Sequence, residues 1–187
     1  MSRTFQSGPP RVAYRLLYWE DIIEASPRRY GPAVFTSQLL DQAIELMGEK
    51  HPVHKSDLFA QSTGRKRRTV PGAFIQSFTS GWVVEHSIPA AVVGLRSATW
   101  DFIRPLYPDE PFFFTNTTLS FSEIDDRSGL LNTERRVFDE TEQVYAIGRM
   151  NVVMLRRPAG ASRAAGRHRS SAGESDSKRK KRKTREP

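Results

Sequence analysis

The stretch Pro71–Leu106, PGAFIQSFTSGWVVEHSIPAAVVGLRSATWDFIRPL, changes its hydrophobic period part-way along, and that change decides the fold. After Pro71-Gly72, the residues Phe74, Ile75, Phe78, Trp82 and Val83 recur at helical spacing and give a wide apolar stripe. A helix with such a stripe must be largely buried. Beyond Pro89 the composition turns β-rich in AAVVGLRSATWDFIRPL, and Tyr107-Pro108-Asp109-Glu110 breaks it. Further on, Phe112 to Ile124 alternates and is rich in Phe and Thr. Asp125-Asp126-Arg127-Ser128-Gly129 reads as a turn, Leu130 to Phe138 as a strand, Asp139 to Glu142 as a turn, and Val144 to Arg156 as a last strand. Upstream, Leu39, Leu40, Ala43, Ile44 and Met47 share one helical face in QLLDQAIELMG, with Thr36 or Ser37 to cap its start and Gly48 at C′. Residues 49–71 read as irregular, with a short turn at 57–62. Two helices followed by four strands on short turns predict an α+β domain, an antiparallel sheet covering a long central helix. No internal repeat is present.

Composition sets the limits. The chain has 187 residues, no cysteine and a net charge of +8. Without cysteine there are no disulfides, thiolate zinc sites, cysteine-ligated iron–sulfur clusters or cysteine nucleophiles. No apolar run approaches the roughly 18–20 residues that span a membrane, and MSRTFQSGPPRVAYR lacks the core of a signal peptide, so a cytoplasmic protein is expected. The charge is unevenly placed. Residues 158–187 hold ten basic and three acidic side chains, a net of +7, which leaves +1 for the rest. That tail has no large apolar residue and is expected to be disordered. The expected organisation is an irregular segment 1–12, a folded domain 13–157 and a basic tail 158–187.

The chemistry concentrates in Met47–Ser80, MGEKHPVHKSDLFAQSTGRKRRTVPGAFIQSFTS. Glu49 lies five residues before His54, with Pro52 between them, and His51 shares the segment. A carboxylate and an imidazole on one rigid loop can share a water, one taking its proton while the other delivers a proton to substrate. The Pro71-Gly72 helix start presents backbone N–H groups without intrahelical partners at the positive end of the helix dipole, where they can polarise a carbonyl oxygen. The plainer readings are an accidental Glu–His spacing and a helix start that is only architecture. His86 reads as structural, Trp82 and Trp100 as core. No metal site is expected. His51 and His54 could converge on one, but few other ligands are near in sequence. Arg65-Lys66-Arg67-Arg68 reads as a solvated loop, or as a contact for phosphates.

This window resembles the MaoC-like, or (R)-specific enoyl-CoA hydratase, family of the hot-dog fold. The family motif S-G-D-x-N-P-x-H is matched in spacing by Met47-Gly48-Glu49-Lys50-His51-Pro52-Val53-His54. Phe59-Ala60 falls on the helix that follows, and Pro71-Gly72-Ala73-Phe74 on the family's H-G segment. Phe102-Ile103-Arg104-Pro105-Leu106-Tyr107-Pro108-Asp109 resembles F-x-x-P-V-x-x-G-D, so the likeness spans about 17–157. The resemblance implies a hydro-lyase that adds water to a 2-enoyl thioester or removes it from a 3-hydroxyacyl thioester, as in fatty acid metabolism. It places His54 at the catalytic histidine, Glu49 at the catalytic aspartate, Gly72 as oxyanion donor and Ser80 as a lining serine. It implies an acyl-CoA or acyl-carrier-protein substrate, no cofactor beyond the coenzyme A of the substrate, and a homodimer.

Three positions depart from the motif: Glu49 replaces Asp, His51 replaces Asn and Pro71 replaces His. A methylene's displacement of a catalytic group, about 1 Å, can cost ~10²-fold in rate. Two other classes stay open at this point. One is a non-catalytic hot-dog module that binds acyl-CoA or a partner. The other is a salt-sensitive binder of nucleic acid or anionic surfaces through residues 178–185. A hot-dog thioesterase is a further alternative.

Overall fold

A computed structural model describes residues 16–23, 27–85 and 90–160. The expected irregular segment 1–12, His86, His168 and the basic run 178–185 lie outside the described residues.

Among the described residues ten elements follow one another. They are α1 (Trp19–Ile23), β1 (Arg28–Val34), α2 (Ser37–Met47), α3 (Pro52–Lys55), α4 (Asp57–Ser62), α5 (Gly72–Glu85), β2 (Val92–Phe102), β3 (Pro111–Glu123), β4 (Ser128–Phe138) and β5 (Val144–Leu155). The five strands form one antiparallel sheet in the order β1-β3-β4-β5-β2. Across it lies α5, with Gly72 against Phe102 of β2, Phe78 against Phe112 of β3 and Thr79 against Arg135 of β4. This is the expected α+β architecture, a hot-dog fold.

The two principal helices form as their sequences dictate. The Thr36 hydroxyl accepts the Leu39 N–H at the start of α2, and Gly48 closes its end in the left-handed region, at φ 65°. Buried Leu40 and Ile44 face the core, and exposed Leu46 and Met47 do not. In α5, Phe74, Ile75 and Thr79 are buried, with Phe78, Trp82 and Val83 partly covered. Phe112 and Phe114, both fully buried, supply the facing surface of the sheet. Each such ring contributes about 1.5–3 kcal/mol by leaving water. A smaller cluster of Trp19, Leu131 and Met154 covers the other end of the same sheet face under α1.

The structure adds to the expected elements. β1 is a fifth strand. Gly31-Pro32 interrupts its register between Tyr30 and Ala33, and such a break suits an edge strand. Gly31, at φ 117°, lies so close to β3 that a side chain would sit 2.8 Å from the Phe112 carbonyl oxygen. The segment expected to be irregular contains α3 and α4, the latter at the turn foreseen for 57–62. Strand β2 is the other edge, and exposes Val92, Val93, Leu95 and Phe102. Among the described residues, no helix is long and apolar enough to cross a membrane.

Candidate active site

Glu49 follows the left-handed turn at Gly48, and its N–H donates to the Ile44 carbonyl at 3.0 Å. One carboxylate oxygen accepts the His51 N–H at 2.8 Å. That bond holds the Glu49 carboxyl below the ordinary carboxylate range, outweighing an opposing desolvation; charge on His54 acts in the same downward direction.

His51 caps α3. Its Nδ1 accepts the Val53 N–H at 3.2 Å, so Nδ1 carries no proton and faces the backbone. Its ring lies edge-on to Phe59, centroids 5.8 Å apart, and 6.2 Å from the His54 ring. Pro52 at the first helical position fixes the entry into α3.

His54 is held in the opposite sense. Its Nδ1 lies 2.7 Å from the Thr69 carbonyl oxygen and 3.2 Å from the Thr69 hydroxyl. A carbonyl can only accept, so Nδ1 carries the proton and Nε2 presents its lone pair. Thr69 is buried and returns a bond, donating its N–H to the Val53 carbonyl at 3.2 Å. The next residue, Val70, donates to Leu106 O at 2.9 Å, which ties the segment before α5 to the connection after β2. The histidine and the start of α5 are thus positioned by one short stretch, Thr69 to Gly72.

Gly72 opens α5. In this first turn Phe74 and Ile75 donate to the Pro71 carbonyl, and among the described residues no acceptor faces the N–H of Gly72. The Phe102 ring lies over it, and a Cβ at position 72 would meet that ring at 2.5 Å. Any side chain at this position would have to displace the ring.

Ser80 sits eight residues beyond Gly72, about 12 Å along the helix axis. Its hydroxyl donates to the Gln76 carbonyl at 2.9 Å and accepts from Arg135 at 3.0 Å. The structure therefore places Ser80 in a separate polar cluster with Thr79, Asn116 and Arg135. Glu49 and His51 lie just before α3 and His54 lies within it, but no hydrogen bond joins Glu49 to His54 among the described residues. A cleft of about 390 Å³ beside Glu49 is lined by Asp41, Ile44, Glu45, Gly48, Lys50, Lys55 and Arg68, without His54.

The basic loop is divided. Arg68 makes a two-pronged pair with Asp41, and Arg67 lies 3.5 Å from Glu110 and 3.9 Å from Asp109. Arg65 bonds the Thr63 hydroxyl, and the Lys66 ammonium lies 5.8 Å from the Tyr107 ring centre. Arg65 and Lys66 are therefore the two cations of the loop without a carboxylate partner among the described residues. No cluster of three or more potential metal-ligating His, Cys, Asp or Glu side chains occurs among the described residues.

Sequence reading did not single out Thr69, because its contribution is a backbone carbonyl. It also passed over Arg135, for which a signal exists. Leu131, Thr133, Arg135 and Val137 alternate onto one face of β4, which puts Arg135 inward.

Neither a protein-family model nor a curated protein matches the sequence. Solved structures do match in shape. A monoamine oxidase regulatory protein from Archaeoglobus superposes with a TM-score of 0.70 at 16% identity, over 76% of this chain and 97% of the other. A MaoC-like dehydratase from Rhodospirillum rubrum gives 0.64 at 17% identity, over 76% and 99%. An (R)-hydratase of A. caviae involved in PHA biosynthesis gives 0.55 at 19%, over 68% and 92%. The chain has the hot-dog fold of MaoC-like dehydratases and (R)-hydratases.

Proposed function

We propose that this protein is an acyl-thioester hydratase or dehydratase, acting on a 2-enoyl or 3-hydroxyacyl thioester. The observation that carries this reading is the fixed tautomer of His54, whose Nε2 lone pair is left available five residues beyond Glu49, whose carboxyl is held below the ordinary range. Such a pair supplies a base for water and a proton relay for Cα. The unpaired Gly72 N–H supplies a donor for charge developing on the thioester oxygen. The thioester itself acidifies Cα, so the chemistry draws on no resident cofactor, and coenzyme A enters with the substrate. His51 holds the loop through its cap, and Arg65 and Lys66 are the residues of the basic loop suited to coenzyme A phosphates or an acidic carrier. The exposed edge strand β2 is suited to pair with a second copy, which light scattering would report as a dimer.

The test is hydration of crotonyl-CoA and of longer enoyl-CoAs, followed at the absorbance of the conjugated thioester. Turnover that collapses in both His54→Ala and Glu49→Gln is the expected result. A folded protein that hydrates no enoyl-CoA of any length would overturn the reading.

One observation favours a second reading, a non-catalytic module that binds an acyl thioester or a partner. The Glu49 carboxylate is engaged by its own loop, and the cleft beside it excludes His54. That reading expects binding of saturated acyl-CoA with no turnover of the enoyl form. The run 178–185 is a separate proposal as a nucleic-acid or anionic-surface contact. Deletion of 158–187 would abolish salt-sensitive binding and spare turnover.

A further inference from the structure

Arg135 is a cation in the core. The residue is 4% exposed and lies on β4 beneath α5. Its Nε donates to the Asn116 side-chain oxygen at 2.8 Å, and Nη1 donates to the hydroxyls of Thr79 at 2.9 Å and Ser80 at 3.0 Å. Its guanidinium carbon lies 5.6 Å from the centre of the Phe114 ring, on which Tyr30 stacks at 5.0 Å. Every one of these partners is neutral. Burial pushes the guanidinium down to about 10, and the phenol of Tyr30 acts in the opposite direction.

A buried guanidinium is ordinarily paired with an acid, because an uncompensated charge in a low-dielectric interior costs several kcal/mol. Here three N–H groups are matched to neutral acceptors. The two on Nη2 have no acceptor among the described residues. The guanidinium is thus bonded on two sides and left without an acceptor on the third among the described residues.

Its position relates it to the proposed chemistry. Thr79 and Ser80 lie on the same helix as Gly72, about 12 Å along its axis. That separation matches an extended chain of roughly ten carbons at about 1.5 Å per bond and tetrahedral zigzag. The aromatic side chains Phe78, Phe112 and Phe114 line the sheet and helix between them.

We propose that Arg135 determines specificity, binding through Nη2 the far carboxylate of an acyl chain whose thioester end sits at Gly72. The substrate class is then the coenzyme A monothioester of a dicarboxylic acid, or a chain with an equivalent anionic end, rather than a plain alkyl chain. The inference rests on the thioester reading and names its substrate.

Binding can be measured without turnover. Calorimetry on the intact protein would compare decanoyl-CoA with the coenzyme A monothioester of decanedioic acid, both saturated. The expected result is roughly a 10- to 100-fold tighter Kd for the carboxyl-ended chain, the scale of a charge-assisted hydrogen bond. In Arg135→Met that preference should collapse. In Arg135→Lys, which keeps the charge but not the planar fork, it should shrink to a few-fold. The wild-type comparison stands even where a variant does not fold. Equal affinity for the two chains in the wild type overturns the inference and leaves the thioester reading intact. Failure of both ligands to bind overturns the thioester reading itself. A change of mass by light scattering in Arg135→Met, with the preference unaltered, overturns the inference by assigning Nη2 to a subunit contact.

Discussion

The His54 ring nitrogen Nδ1 lies 2.7 Å from the carbonyl oxygen of Thr69, fifteen residues further along the chain. Because the acceptor is a backbone carbonyl, no substitution at Thr69 removes it, and it dictates which nitrogen of the neutral imidazole is protonated. Nitrogen-15 correlation spectra of the neutral ring should therefore show the Nδ1–H tautomer for His54 and the Nε2–H tautomer for His51, whose Nδ1 accepts from Val53. Observation of the Nε2–H form at His54 would remove the lone pair on which the proposed chemistry depends.

Glu49 gives a prediction with a definite sign. Its carboxyl is held below the usual range chiefly by the His51 N–H, so it is ionised throughout the neutral and mildly acid range. Replacement by Gln keeps an acceptor for that N–H and removes the charge and the basicity. Hydration by Glu49→Gln should fall by roughly 10²–10⁴-fold, the usual scale for a lost acid–base group, with Kd for a saturated acyl-CoA nearly unchanged. Equal losses in affinity and rate would show that the carboxylate serves to hold the loop.

Much of this arrangement was readable in the sequence, for reasons that differ by element. The α2 boundaries followed from a capping hydroxyl at Thr36 and the left-handed residue Gly48, both local devices. The four later strands followed from alternation and polar turns. β1 escaped because Gly31-Pro32 interrupts its pattern, and its pairing with Phe112 and Phe114 is a long-range fact. The loop bearing Glu49, His51 and His54 was visible through its spacing. What the spacing could not contain was the Thr69 carbonyl opposite His54, or the division of the basic loop by Asp41, Asp109 and Glu110. Those acids lie far from it in sequence and reach it only through tertiary packing. Arg135 lay within an alternating strand, where its inward position contradicts the expectation that arginine faces water.

Asp139 organises the turn between β4 and β5. It accepts from the Thr141 hydroxyl and N–H, from the Gln143 N–H and from Arg104, whose guanidinium also bonds the Gln143 and Val144 carbonyls. These bonds, the Thr141 hydroxyl first among them, hold its carboxyl well below the ordinary range near 3.8. A depressed folded-state value stabilises above the unfolded value, and the effect is lost as pH falls through the folded one. Urea midpoints of wild type and Asp139→Asn should therefore differ most near neutrality. The gap should hold down to about pH 4 and close below it. A gap independent of pH would mean that Asp139 acts through shape alone.

The packing of Phe102 on Gly72 yields a test with a change of sign. In the wild type, Gly72→Ala forces a new methyl against the ring, which meets it at 2.5 Å. The Phe102 residue is about half exposed, at 51%, so the ring can swing aside. The cost should be toward the lower end of the 1–3 kcal/mol usual for overpacking, about 1 kcal/mol. In a Phe102→Ala background the clash disappears, and the same substitution should become neutral or stabilising by up to about 1 kcal/mol, because alanine favours the helix. Activity should not follow stability. The added methyl stands beside the Gly72 N–H that the proposed chemistry uses, so the double variant should fold at least as well as Phe102→Ala alone and still hydrate enoyl-CoA more slowly than it does. Urea unfolding of the four proteins, with a hydration assay on each, separates the two effects. A Gly72→Ala change that is equally destabilising in both backgrounds would show that the ring is not what requires glycine at this position.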